Sequence, residues 1–410
     1  MKVFEDEKDC CGCGACMNAC PKQAITLQED RFGFLFPAVD AKQCVACGRC
    51  IAACPWNKDI SVSDYKNNYF FAARKDEKKR NCSASGGIAA ALTEDALTRG
   101  THVFGCVMQR VDAQFQVFHM EAETIEQAQG FRGSKYVQSN MGWTYRQVRE
   151  RLEEGKSVLF IGTPCQVAGL KSYLGTEYDA LYTIDLVCHG VSNQKFFHDY
   201  ILFLERKKKW NIRNVRFRAK YKNIDASKHY YMEIQLKNSR KKLFSKLQSY
   251  YGYFLNGDSY RTSCYHCKYA CSNRVGDITL GDGWGIEHME PKALKENGGN
   301  LVNAQGVSCV LVNSSKGMEL FQRISNEIDY YETSFDKISK QNHQLMFPTP
   351  YRTFRETLFD LYIHGGYSDV DKLYYTRLDK KMLFNWKYYL PVSNMISDKQ
   401  KRAFKRMLHK

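Results

Sequence analysis

The stretch CCGCGACMNACP, residues 10–21, recurs as CVACGRCIAACP, residues 44–55. With Cys10 as the first ligand, both copies read C-x2-C-x2-C-x3-C-P, and Cys10 and Cys44 are 34 residues apart. The match extends upstream, where Asp6 and Lys8 correspond to Asp40 and Lys42, so one unit has been duplicated. Cysteines at this spacing let a tight loop hold three corners of a cubane. Gly12, Gly14, Ala15, Ala46 and Gly48 are small enough to bring backbone N–H groups to its sulfides. In paired motifs of this kind the cysteine before proline reaches across to the other centre. Cys10, Cys13, Cys16 and Cys54 are therefore expected to hold one 4Fe-4S cluster, and Cys44, Cys47, Cys50 and Cys20 a second. Cys11 fits no ligand register and reads as a bystander. Structural zinc is the competing reading, disfavoured because zinc sites seldom carry two complete copies of such a pattern.

This repeat resembles the bacterial-type two-cluster ferredoxin, which implies low-potential, one-electron traffic. The rest of the composition agrees with a protein of that kind. The 410 residues, 44% hydrophobic and 25% charged, are enough for two or three domains with substantial cores. The opening MKVFEDEKDC is charged and lacks an apolar core segment, and no run approaches the ~18 apolar residues of a membrane span. The expectation is a soluble, cytoplasmic protein. Seventeen cysteines crowded at short spacings in such a chain point to metal ligation rather than disulfides.

The net charge of +16 is concentrated in ERKKKWNIRNVRFRAKYK and in the ending DKQKRAFKRMLHK. Basic patches attract any polyanion. Nucleic acid is disfavoured as a partner, since no helix-turn-helix, zinc-finger or RNP signature accompanies the charge. An acidic redox partner, an anionic membrane face touched peripherally, and a plainly solvated surface stay open.

Beyond a polar linker near VSDYKNN the pattern changes. YFFAARK, HVFGCVM, SVLFIGT, LYTIDLVCHG, DITLGD and VSCVLVN are short apolar runs ending in glycine or polar residues. GGIAAALTEDALTRG, MGWTYRQVRERLEEG and QVAGLKSYLG between them are helical patterns, each closing on glycine. This alternation predicts an α/β domain on a largely parallel or mixed sheet, with ligands gathered where strands end. At such points stand Ser83, Ser85, Gly86 and Gly87 before a helix, Arg132 and Lys135 in FRGSKYVQS, Thr163 and Cys165 after one strand, and Cys188 and His189 after the next. Each string alone also fits an ordinary cap or loop. Downstream, CYHCKYAC offers Cys264, Cys267 and Cys271, a three-thiol set by spacing alone. GDITLGDGWGI places Asp277, Asp282 and Trp284 among glycines that let backbone pass close to something bulky, or simply bend against the core. Cys82, Cys106 and Cys309 read as small buried hydrophobes.

A ferredoxin repeat followed by SASGG, RGSKYVQS, GTPCQ, DLVCHGV, CYHCKY and RVGDITLGDGWGI, in that order, resembles the beta-subunit family of coenzyme F420 hydrogenase and dehydrogenase over roughly residues 1–330. The resemblance implies an iron-sulfur flavoprotein with FAD in the α/β domain and a third 4Fe-4S cluster beside it. It carries FAD contacts onto Ser83, Ser85, Gly86, Gly87, Ser134, Lys135, Tyr136 and Thr163. Ala84 stands where the family often has serine. It assigns the third cluster to Cys165, Cys188, Cys264 and Cys267 and leaves Cys271 as a spare, against the spacing-only set. Zinc at these residues is the alternative.

The expected organisation is a two-cluster α+β ferredoxin-like domain at residues 1–62, and a flavoprotein domain whose two parts span 68–150 and 151–335, the second with the third cluster. A basic, aromatic, mainly helical region follows at 336–410. The expected function is an oxidoreductase passing electrons between an external carrier, ferredoxin-like or deazaflavin, and a small organic substrate. His189 is the candidate proton donor, although a loop histidine of no special role is the plainer reading. The alternative function is an electron-transfer subunit relaying to a partner enzyme without a substrate site of its own. A zinc protein binding nucleic acid is the third, disfavoured reading.

Overall fold

The computed structural model describes residues 3–59, 64–221, 225, 231–238, 240–244 and 248–378. Both copies of the cysteine repeat turn through left-handed residues at matching positions. These are Gly12 (φ 65°) and Gly14 (φ 77°) in the first copy, Ala46 (φ 53°) and Gly48 (φ 73°) in the second. Each loop enters a short helix, α1 (Ala15–Ala19) and α2 (Arg49–Ala52). Between them the chain forms a hairpin of β1 (Ile25–Glu29) and β2 (Leu35–Val39).

The chain then runs β3 (Asn68–Arg74), α3 (Ile88–Thr98), β4 (His102–Val111), β5 (Gln114–Ala122), α4 (Thr144–Glu153), β6 (Val158–Gly162), α5 (Pro164–Leu174), β7 (Leu181–Leu186) and α6 (Gln194–Lys208). Next come β8 (Ile212–Ala219), β9 (Tyr231–Leu236), β10 (Lys241–Phe244) and α7 (Ser249–Leu255). The remaining elements are β11 (Ile278–Asp282), β12 (Ser308–Val312), α8 (Ser315–Arg323), β13 (Ile328–Glu332) and α9 (Phe354–Arg377), which is broken at Gly366. Short turns of helix join several of these.

Eight strands make one sheet in the order β13-β3-β12-β11-β7-β6-β4-β5. Its centre, β11-β7-β6-β4, is parallel, and the pairings outside it are antiparallel. The sheet is therefore mixed, with a parallel core. Strand alternation sends Val103, Leu159 and Ile184 to one face, against Leu92 and Ala96 of α3 and Leu320 of α8. It sends Phe104, Val158 and Phe160 to the other, against Val148 of α4 and Val167 and Leu170 of α5. Cys13 and Ala15 of the first repeat belong to this second cluster, so the cysteine module is built into the core. A three-stranded sheet, β10-β9-β8, stands apart.

One expectation changes here. The basic run ERKKKWNIRNVRFRAKYK is not one charged face, because Ile212, Val215 and Phe217 of β8 point into an aromatic core with α6 and α7, and Ala219 is also buried. The described part of the carboxy-terminal region is largely helical and packs on the same elements. Leu358, Phe359, Tyr362, Tyr367 and Val370 of α9 fill that same core. The basic ending DKQKRAFKRMLHK lies outside the described residues. Among the described residues no helix is long and apolar enough to cross a membrane.

Candidate functional site

In the cysteine module the fourth thiol of each copy faces the other copy. Cys54 lies close enough to act electrostatically on Cys10 and Cys16, and Cys20 on Cys50. The loops aim backbone N–H groups at sulfur: Gly12 at Cys10, Ala15 at Cys13, Met17 at Cys16, Ile51 at Cys50 and Trp56 at Cys54. The N–H of Ala24 donates to Cys20 Sγ at 3.3 Å. Such donors favour thiolates and the sulfides of a bound cluster.

One buried cation points the same way. Arg261 is 1% exposed. It donates through Nε to the carbonyl of Cys10 (2.6 Å), through Nη1 to Gln138 Oε1 (3.4 Å) and through Nη2 to Cys10 Sγ (3.4 Å). Its guanidinium also lies 4.1 Å from the ring centre of Phe36. Among the described residues no carboxylate pairs with it. Burying an uncompensated charge costs several kcal/mol, and anionic thiolates around Cys10 would supply the missing countercharge.

The second group of thiols is assembled at the carboxy ends of the parallel strands. Gly162 of β6 and Asp185 of β7 are paired in register, so Cys165 and Cys188 leave the sheet side by side. The helical turn Thr262–His266 brings Cys264 and Cys267 to meet them. Cys267 acts on Cys165 and Cys188, and Cys188 on Cys264. Burial pushes the metal-free thiols of Cys188, Cys264 and Cys267 up to about 12. The N–H groups of Gly190, Val191 and Tyr269 counter that by donating to Cys188, Cys264 and Cys267. Cys271 is not part of the group, since its thiol turns to the carbonyl of Asn273 at 3.2 Å. Cys11, which the spacing left without a role, stands between the two groups with Cys13 and Cys165 both within hydrogen-bond reach. That position depends on tertiary packing and has no signature in the spacing.

A cavity of about 450 Å³ opens from these thiols. At one end it is lined by Cys165, Cys188, Cys264 and Cys267, and at the other by Ser83, Ser85, Gly87 and Ile88, where α3 begins. Gly87 starts that helix in a left-handed conformation (φ 86°), with no side chain capping the first N–H groups. The hydroxyl of Ser83 is buried without a partner. Free helix N–H groups and an orphaned hydroxyl suit a phosphate.

The residues assigned to FAD by resemblance fall unevenly around this cavity. Ser134 and Thr163 line it, and Thr163 Oγ1 is 3.2 Å from Cys165 Sγ. Ser85 also lines it, but its hydroxyl donates to the carbonyl of Val307 at 2.7 Å. Gly86 is not in the wall. A Cβ there would lie 2.4 Å from the carbonyl oxygen of Ala72, so this glycine serves the contact between loop and sheet. Lys135 turns its ammonium back onto the carbonyls of Gly130, Phe131 and Arg132 at 2.7, 2.9 and 3.1 Å, and burial lowers its pKa to about 8. Tyr136 lines the cavity and stacks on Phe254, ring centres 4.2 Å apart.

His189 lines the cavity and is exposed toward it, while the surrounding protein desolvates the ring and lowers its pKa. Its ring has no hydrogen-bond partner among the described residues. Arg218, ion-paired to Asp282 and 4.9 Å from the ring centre of Trp284, stands in the same wall. Asn342, Pro348 and Thr349 complete it from the carboxy-terminal region, in which the sequence shows no chemistry. In GDITLGDGWGI the glycines bend against the core. Gly276 and Gly281 pack on Asp185 and Val187, whereas Asp282 and Trp284 face the cavity. Asp277 is structural, accepting from the N–H and hydroxyl of Thr183 at 2.8 and 2.7 Å. Cys309 is buried as expected, but Cys82 is exposed and Cys106 lines the cavity.

Among curated proteins none matches the chain. Residues 155–337 match the family described as the C terminus of the beta subunit of coenzyme F420 hydrogenase/dehydrogenase, and residues 9–58 match the 4Fe-4S dicluster domain. Among solved structures, a chain of the F420-reducing NiFe hydrogenase complex from Methanosarcina barkeri aligns at 15% identity with a TM-score of 0.43, covering 77% of this chain and 94% of that one. By these matches residues 155–337 carry the carboxy-terminal domain of the coenzyme F420 hydrogenase/dehydrogenase beta subunit, and residues 9–58 a 4Fe-4S dicluster domain.

Proposed function

We propose that the chain is an iron-sulfur flavoprotein oxidoreductase that links an external one-electron carrier to a two-electron reaction of a small organic substrate. The observation carrying this reading is the continuous cavity of about 450 Å³ with four thiols at one end and the open start of α3 at the other. Cys165, Cys188, Cys264 and Cys267 are the proposed holders of a third 4Fe-4S cluster, beyond the two of the repeat. Ser83 and the first N–H groups of α3 would receive the pyrophosphate of FAD, with Ser134 and Thr163 along the wall. When bound, the flavin supplies hydride chemistry and exchange between two-electron and one-electron traffic, while each cluster carries one electron.

The chain's own residues set the order. Cys47 is exposed and Cys13 buried, so the second copy of the repeat is the solvent side of the module and the first its protein side. Cys11 spans from Cys13 to Cys165. Arg218, Asp282 and Trp284 shape the open part of the cavity, where a substrate would stand, and His189 is the proposed proton donor there.

Anaerobic mixing of the purified protein with reduced ferredoxin, reduced deazaflavin or reduced nicotinamide, followed by flavin bleaching, tests this. Bleaching by ferredoxin or deazaflavin, with nicotinamide inert, is the expected result. Protein that takes electrons into its clusters but has no flavin to bleach would replace this reading with a relay role, in which a partner enzyme holds the substrate.

A further inference from the structure

The two copies of the cysteine repeat have the same backbone but different surroundings. In the first copy, Gly12 through Asn18 are all buried. That face is an interface with the body of the protein. Gln138 donates to the carbonyl of Cys11 at 2.9 Å, and Gly14 packs on Met141. Asn18 donates to the carbonyl of Gly142 at 2.8 Å and accepts from Arg146 at 2.8 Å. Shifted by the repeat length, Cys11, Gly12, Ala15, Met17 and Asn18 become Val45, Ala46, Arg49, Ile51 and Ala52. All five are exposed, Val45 at 58% and Ile51 at 38%. Gly48, the counterpart of Gly14, faces open space.

The second copy thus repeats, toward solvent, the face with which the first copy docks. Apolar side chains this exposed beside an exposed thiol, Cys47, are the anatomy of a contact surface. Its charge states the partner. The charged residues from Ala41 to Cys54 are Lys42 and Arg49, both exposed and neither ion-paired among the described residues. The chain as a whole carries +16. A small apolar centre with a basic rim selects an acidic partner and speeds its approach.

We infer that the loop of residues 42–52 is the docking face for an acidic one-electron carrier protein. This rests on the function proposed above and specifies its entry point. One electron would leave the carrier, oxidising it by one unit, and would enter the centre that Cys44, Cys47, Cys50 and Cys20 would hold, reducing it by one unit. No bond is made or broken and no proton moves.

The test uses the holoprotein and a reduced, acidic two-cluster ferredoxin as the probe, with affinity measured by calorimetry and reduction by stopped-flow absorbance at low and high salt. Wild type is expected to bind and to be reduced at a rate that falls steeply with salt. Lys42→Glu with Arg49→Glu should weaken binding and slow reduction at least tenfold at low salt and abolish the salt dependence. Iron content and reduction by dithionite should be unchanged. Lys156→Glu with Lys372→Glu is the control; Lys156 precedes β6, at the end opposite the thiols, and Lys372 lies on α9. It should behave as wild type. Arg49→Gln, a milder change, should give an intermediate rate if the double reversal loses iron.

The inference is overturned if the double reversal leaves rate and affinity unchanged, or if the control pair lowers them equally. It is also overturned if the face proves to join two copies of this chain, seen as a dimer that the reversal dissociates. Protein without iron, by contrast, would overturn the underlying reading rather than the docking face.

Discussion

A cysteine buried away from solvent resists ionisation, so its place in a ligand set depends on what its sulfur is aimed at. Cys188 receives the N–H of Gly190 and lies beside Cys264 and Cys267. Cys271, close to Cys267 in sequence, donates its own S–H to the carbonyl of Asn273 instead. Spacing alone groups Cys264, Cys267 and Cys271, because a local motif says nothing about a strand end some seventy-five residues earlier. The register of β6 against β7 brings Cys165 and Cys188 together, and the resemblance carried both to the same set. Cys188→Ser is expected to remove one cluster, about four iron atoms per chain, and Cys271→Ser to remove none, as read by iron analysis of anaerobically prepared protein. Arg261 was not legible for the same reason. Its contact with Cys10 spans 251 positions, and an arginine in YRTSC carries no mark of burial.

At the scale of elements, the six apolar runs of the middle region are all strands of the large sheet, and the three glycine-terminated patterns are helices α3, α4 and α5. Hydrophobic runs and glycine stops are local, so they are readable. Strand β5 was missed because its hairpin turns at Asp112 and Ala113, with φ of 47° and 65°, where the recognisable sequence would be Asn-Gly or Asp-Gly. β8 was not legible because arginines occupy alternate positions among its apolar residues. The repeat loops make the same point about backbone and side chain. A Cβ on Gly12 would lie 2.6 Å from Gln138 Nε2 and force that side chain to shift, whereas Ala46 bears its side chain in the same left-handed conformation at the surface. Gly12→Ala is therefore expected to destabilise the holoprotein by roughly 1–3 kcal/mol and lower its melting temperature. Ala46→Gly should be neutral or stabilise it by up to about 1 kcal/mol. Equal effects in thermal melts would show that the two loops are not differently packed.

Over the whole molecule, the thiols form a series from an exposed loop, through a buried loop, to the end of a cavity. The repeat is duplicated in sequence but not in environment. One copy is sealed by Gln138, Met141 and Arg146, and the other faces outward. The order of the motifs indicated a ferredoxin module and a flavoprotein-like domain. It did not show that the module shares a core with α4 and α5, or that the region after residue 336 walls the cavity. Both depend on contacts between segments far apart in the chain. In the proposed function this series ends in a third cluster beside a flavin. Its most direct test is the content of iron, acid-labile sulfide and flavin in anaerobically purified protein. About twelve iron and twelve sulfide per chain, as three 4Fe-4S clusters, are expected together with FAD; about eight iron and no flavin would overturn the proposal.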